Sequence, residues 1–223
     1  MSLFLRCPTH FRHRPSQADL LHVDIEWQNQ PIAIDAGTYS YNTTGKLKGG
    51  LGEAAVHNTL TVDGAEPMAK VGRFLYLPWP IGFAEWRDDG TRFQAAHTGW
   101  KKLGVEHARN VRFREGNEIS VEDVVQGLGN HAVRVHWLLA DWPYELRERE
   151  SRLILQTPLG KIAVSWQAGD GAKVTLVRAD PESARGWRSP HYLQAEPALS
   201  LAIEVPFQGE IRIETRFTPV AQR

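Results

Sequence analysis

RHRPSQADLLHVDIEW (residues 12–27), PIAIDAGTYSYN (31–42) and AAVHNTLTVDG (54–64) are the stretches whose reading decides the fold. In the first, Leu21, Val23, Ile25 and Trp27 alternate with His22, Asp24 and Glu26, the period of a half-buried strand with its apolar side inward. Asn29-Gln30-Pro31 turns the chain into Ile32-Ala33-Ile34, so a hairpin ends at Asp35-Ala36-Gly37. Thr59–Val62 forms the next strand, closed by Asp63-Gly64.

The same period runs outward from there. Strands are expected at Phe83–Trp86 and Arg92–Ala96 around Asp88-Asp89-Gly90, and at Val105–Phe113 and Ile119–Val125 around Arg114-Glu115-Gly116-Asn117. Ala132–Leu139, Ser151–Gln156, Lys161–Trp166 and Lys173–Arg178 follow, then Leu199–Val205 and Ile211–Phe217 as a hairpin across Gln208-Gly209. Tyr144–Glu150 is charged and reads as a helical turn or a polar edge strand, and Asp180–Pro190 as a long loop. A dozen or more short strands without a capped helical stripe predict an all-β fold: one large antiparallel β-sandwich of two sheets over residues 1–223.

Of the 223 residues, 42% are hydrophobic, enough for a sizeable core. The 26 basic and 26 acidic residues cancel, so no whole-molecule field draws the chain to nucleic acid, and any polyanion must be bound locally. The single cysteine, Cys7, excludes an internal disulfide. MSLFLRCPTHF has too short an apolar run for a signal peptide, and no later run suits a membrane span; the compartment stays open. Met1-Ser2-Leu3 has two readings, the chain's own start or an appended start before an excised domain.

Three polar clusters sit at strand ends. Asp35 and His57 each have a structural reading, ending a strand, and a chemical one, since a carboxylate and an imidazole from separate strands can share a divalent ion if a third ligand joins them. Gln17 and Asp19 are the candidates for that ligand, Gln17 being a poor zinc donor and Asp19 equally suited to a turn. Arg6, Arg12, His13 and Arg14 form the dense basic cluster, either a solvated face or forks for carboxylates and sulfates. Tyr39 and Tyr41 alternate and should share a face, as cross-strand packing or as a proton donor and a sugar contact. Of eight tryptophans, Trp27, Trp137 and Trp166 belong to strands and a core; Trp79, Trp100, Trp142 and Trp187 lie near turns, where an indole can be a sugar platform. His97, His107, His131 and His136 show no metal-ligand spacing and read as ordinary.

Residues 10 to 66, through Asp35 with Gly37-Thr38-Tyr39 and His57 with Asn58-Thr59, resemble the carboxy-terminal β-sandwich domain of the heparinase II/III-like polysaccharide lyases. The resemblance implies a helical toroid preceding the sandwich, an active cleft between them, and β-elimination on glycosaminoglycans or alginate. It implies Asp35 and His57 as the second and third ligands of a divalent metal, zinc or calcium. The family's His-x-His-x-Asp run is where this chain departs. With the run's Asp on Asp19, Pro15 stands at the catalytic His and Gln17 at the first metal ligand. His13 lies two residues away, about 6–7 Å along an extended chain, too far for an unchanged geometry.

The expectation is therefore a lyase domain, silent without its toroid, that acts on a uronate-containing acidic polysaccharide. Its site comprises His13, Arg14 and Tyr39 as catalytic groups, Arg12 and Tyr41 as substrate contacts, and Gln17, Asp35 and His57 around a metal or its relic. The alternatives are a non-catalytic carbohydrate-binding or scaffold module in exopolysaccharide metabolism, and an independent metal-dependent enzyme, for which no facial triad is visible.

Overall fold

Two long bent strands organise the computed structural model, which describes residues 1–10, 15–47, 49–72, 75–88 and 91–221. The strands are β1 (Ser2–Leu5), β2 (Val23–Trp27), β3 (Gln30–Ala33), β4 (Leu60–Val62), β5 (Ala69–Gly72), β6 (Leu75–Leu77), β7 (Gly82–Arg87), β8 (Arg92–His97) and β9 (Val105–Arg114). Then come β10 (Glu118–Leu139), β11 (Tyr144–Arg147), β12 (Arg152–Thr157), β13 (Gly160–Gln167), β14 (Lys173–Arg178), β15 (Trp187–Arg188), β16 (Glu196–Pro197) and β17 (Leu199–Val220).

β10 and β17 pair antiparallel along nearly their whole length, with a register shift between Gly127 and Asn130 opposite Gln208-Gly209. A bulge here bends both strands. Before the bulge β10 also pairs with β9, and β9 leads to β8 and β7; the matching half of β17 leads to β13, β12 and β11. Beyond it β10 pairs with β4 and, at Leu139, with β3, which leads to β2 and β1; the other half of β17 pairs with β14. Two antiparallel layers result, as the alternation predicts. The expected hairpin across Gln208-Gly209 does not form: the two residues lie within one continuous strand, opposite the bulge in β10.

The layers close on a core that includes Ile25, Leu60, Val121, Val135, Trp137, Leu155, Val164, Leu201, Ile213 and Phe217. Trp137 ties them together: its indole N–H donates to Thr215 Oγ1 at 3.1 Å and its ring meets Phe217 edge-on at 4.9 Å. Trp27 and Trp166 are also buried, as expected. Trp100, one of the candidate platforms, is 2% exposed and packs into the core, whereas Trp79 is exposed.

The β2–β3 turn is made by Gln28 and Asn29, both with positive φ, one residue earlier than the sequence suggested. Tyr144–Glu150 is an edge strand followed by a 3₁₀ turn. Among the described residues no helix is long and apolar enough to cross a membrane.

Candidate functional site

The ends of β2, β3 and the approach to β4 converge on three side chains. Asp35 Oδ2 lies 3.7 Å from His57 Nδ1 and 3.7 Å from His22 Nε2, and one ligand atom from each residue falls within 4.8 Å of the others. Both imidazoles are buried, while Asp35 is partly exposed and lines a cavity of about 650 Å³ with Asp24 and Arg188.

Local sequence explains how each arrives. Gly37 follows Asp35 with φ +72°, and a Cβ there would sit 2.0 Å from the Ser189 carbonyl oxygen, so only glycine permits this close approach. Its N–H donates to Asp35 Oδ1. His57 ends the 3₁₀ turn Ala54–Val56, whose free N–H groups at Ala54 and Ala55 donate to the Glu66 carboxylate. Burial pushes Glu66 up to about 7, those two N–H groups pull it down, and the charge of Glu53 adds to the rise.

Asn58 and Thr59 hold the turn in place. The Asn58 amide donates to the Val23 and Ile34 carbonyls at 2.7 and 3.1 Å and accepts from Leu138 N at 2.6 Å; Thr59 Oγ1 donates to the Leu20 carbonyl at 2.6 Å. The Asn58 and Thr59 of the motif are thus staples, and His57 is the residue they present.

His22 is the site residue that the sequence reading did not single out. Alternation put it on the Asp24 side of β2, and there it is, with Nε2 3.1 Å from Asp24 Oδ1. That side is not solvent at this height, because Asp35, His57 and Asn58 cover it.

Gln17 is buried and reaches the site, with its amide nitrogen toward it: Nε2 donates to Gly37 O at 3.0 Å and to Asp35 Oδ1 at 3.3 Å. Asp19 is buried and pairs with Arg6 at 2.8 Å, away from a ligand role. Tyr39 packs against a second apolar cluster with Ile34 and Leu138. Tyr41 is exposed and lies against Tyr192, with ring centroids 5.8 Å apart. The segment is not a strand, so the shared face expected for the two tyrosines does not form. Arg12, His13 and Arg14 lie outside the described residues.

Burial pushes the Asp35 carboxyl up, but His57, His22, the Gly37 N–H and the Gln17 amide together hold it below its ordinary value. Burial, then the neighbouring His22, hold the His57 imidazole below its usual range against the pull of Asp35 and Asp19. Near neutral pH the pair is a carboxylate facing a neutral imidazole, the charge state a divalent ion requires.

How well these residues fit a metal can be tested atom by atom. A tetrahedral ion with bonds of about 2.0–2.1 Å separates its ligands by about 3.4 Å, close to the 3.7 Å contacts found here. Among the described residues neither ring nitrogen of His57 finds a partner of hydrogen-bonding geometry, although the site buries it completely. Asp35 Oδ2 and His57 therefore fit. His22 fits less well: its Nδ1 accepts the Asn58 N–H at 3.0 Å, so in the neutral ring Nε2 carries the proton. Gln17 is likewise turned to donate. Nitrogen donors favour a zinc-type ion over calcium.

A second buried network adjoins this one. Asp123 accepts from Arg109 Nε at 2.8 Å, Arg109 Nη2 at 2.9 Å and His107 Nε2 at 2.7 Å, while Arg109 Nη1 donates to the carbonyls of Leu21 and Asn58. The guanidinium thus grips the backbone immediately before His22 and immediately after His57.

The fold has known counterparts. The chain matches the family described as Heparinase II/III-like, C-terminal, over residues 1–218. No curated protein matches significantly. Among solved structures, a heparinase III gene product superposes with a TM-score of 0.73 at 17% identity, over 92% of this chain and 30% of the other. The heparan sulfate lyase HepC from Pedobacter heparinus superposes with a TM-score of 0.72 at 18% identity, over 92% and 31%. At these identities the superpositions speak for the fold, and this chain spans about 30% of their length. With the family match running from the first strand almost to the end of the last, the chain belongs to the heparinase II/III-like C-terminal family.

Proposed function

We propose that this chain is the β-sandwich domain of a polysaccharide lyase that cleaves a uronate-containing acidic polysaccharide by β-elimination, with a helical toroid domain completing the active cleft. The observation that carries the reading is the family match over residues 1–218, joined to coverage of only 30–31% of heparinase III and heparan sulfate lyase chains. In the reaction a base removes the C5 proton of the uronate, the electron pair forms the C4–C5 double bond, and the C4–O bond breaks as an acid protonates the leaving oxygen. Neutralising the uronate carboxylate makes the C5 proton removable. His13, Arg14 and Tyr39 are our candidates for these roles, with Arg12 and Tyr41 contacting sugar.

Asp35 and His57 would hold a zinc-type ion at the strand ends, where it supplies a fixed positive charge and ties β3 to the approach to β4. Gln17 already reaches Asp35, so Gln17→His adds a third good donor. Zinc is expected to raise the melting temperature of this variant by several degrees more than that of the parent, and chelator to reverse it. No zinc response in either protein would show that Asp35 and His57 hold no metal.

Pro15 and the donor orientation of Gln17 favour a second reading, a carbohydrate-binding or scaffold module that no longer catalyses. Ultraviolet detection of unsaturated uronate separates the two. The chain alone and the chain joined to its toroid would be mixed with heparan sulfate, hyaluronan, chondroitin and alginate. Product from the joined form alone is the expected result. A folded, polymer-binding joined form that yields none would establish the module.

A further inference from the structure

The outer face of β7, β8, β9, β10 and β17 carries a cleft of about 750 Å³ that shares no lining residue with the Asp35 cavity. Strand register explains its shape. Phe83 pairs with Ala96, Ala96 with Ala108, Ala108 with Val124 and Val124 with Arg212. One row across five strands therefore has an aromatic ring at one end, a guanidinium at the other, and small side chains between. Four inter-strand steps make this trough about 19 Å long.

Its walls are amides and charges. Gln94 and Asn110 stand opposite each other in the next row on one side, Glu106 and Gln126 on the other. Asn110 is 4% exposed; its Nδ2 donates to Glu122, but its Oδ1 has no hydrogen-bond partner among the described residues. A buried acceptor lining a cleft is costly until a ligand donor meets it. Lys101 lines the cleft with no ion pair among the described residues, while Arg92 is paired with Asp88, and Arg212 with Glu210. Phe83 is 59% exposed, a flat apolar face at the rim.

An elongated trough floored by alanine, walled by amides, and bearing an exposed ring, with an acceptor and an ammonium that no described residue pairs, matches a chain of sugar rings carrying an acidic group. Hydroxyls serve the amides, a C–H face serves the ring, and a carboxylate or sulfate serves Lys101. We infer that this cleft is a binding site for an acidic oligosaccharide, separate from the Asp35–His57 site. The ligand class agrees with the proposed function and rests on it in part; the site itself rests on the cleft.

Calorimetric titration of the 223-residue chain with a heparan sulfate hexasaccharide tests the inference, with maltohexaose as the neutral control. Lys101→Ala is expected to weaken binding about fivefold, and Ala108→Trp, which fills the floor from the outer face, by at least about tenfold. Circular dichroism checks that both variants fold. Absence of binding, equal affinity for maltohexaose, or two folded variants that bind like the parent would overturn the inference. No turnover is read here, so a failed eliminase assay leaves this site standing, and failed binding here leaves the lyase reading standing.

Discussion

Asp123→Ala is expected to destabilise the protein by about 3–5 kcal/mol, the cost of breaking a buried ion pair from one side. For a chain of this length that lowers the melting temperature by about 6–20 °C. The substitution leaves the fully buried Arg109 guanidinium without its carboxylate, and His107 without its acceptor. A double Asp123→Leu, Arg109→Met variant should recover part of the loss, but not all, because the Leu21 and Asn58 carbonyls lose the Nη1 donor. Chemical denaturation measures both; a single-variant loss under about 1 kcal/mol would mean that water reaches Arg109.

The same carboxylate sets an acid limit. Burial pushes Asp123 up, yet Arg109 and His107 hold it at about 2, below its ordinary 3.8. A depressed folded-state value contributes stability that is present above about pH 3.8 and lost as pH falls through about 2. The contribution is about 2 kcal/mol. It should vanish in the double variant, so the parent and variant stability curves converge at low pH.

The second large effect is expected from Asn58→Asp, a change that alters almost no volume. The asparagine amide donates to two buried carbonyls, of Val23 and Ile34, and a carboxylate at that place turns both contacts into repulsions between oxygens. The Leu138 N–H keeps its acceptor. Two lost buried bonds, each leaving an unpaired carbonyl, and a desolvated charge should together cost about 3–5 kcal/mol, less at acid pH where the new carboxyl is neutral. Denaturation at pH 4 and pH 8 reads this directly. A variant equally stable at both values, and close to the parent, would show that Asn58 is replaceable and that another group fixes the His57 turn.

Alternation made the strands legible because each layer buries one side only, and apolar residues recur every second position from Val23 to Trp27 and, with Asp123 the exception, from Ile119 to Val125. Gln208-Gly209 misled because a glycine with positive φ suits a hairpin turn and equally a bend in a strand that faces a bulge; pairing with the distant Gly127–Asn130 decides between them. Asp35 and His57 were visible as strand-end residues. His22 was not, since periodicity gives the side a residue faces and not what covers that side. Arg109 and Asp123 had a usable signal: counting back from the Glu115–Asn117 turn puts them directly opposite each other, and an Arg facing an Asp inside an apolar hairpin implies a buried pair. The cleft had none, because its floor depends on the alignment of five strands.

Since β10 and β17 each run through both layers, neither layer is a separable piece of the molecule. Peeling one sheet away requires unzipping the ladder that holds the other, so thermal or chemical melting should proceed as one concerted event. A cut near Gly127 or near Gly209 parts Ile119–Gly127 from its partner Gly209–Phe217, so split-protein versions of this domain should fail unless both halves are present together.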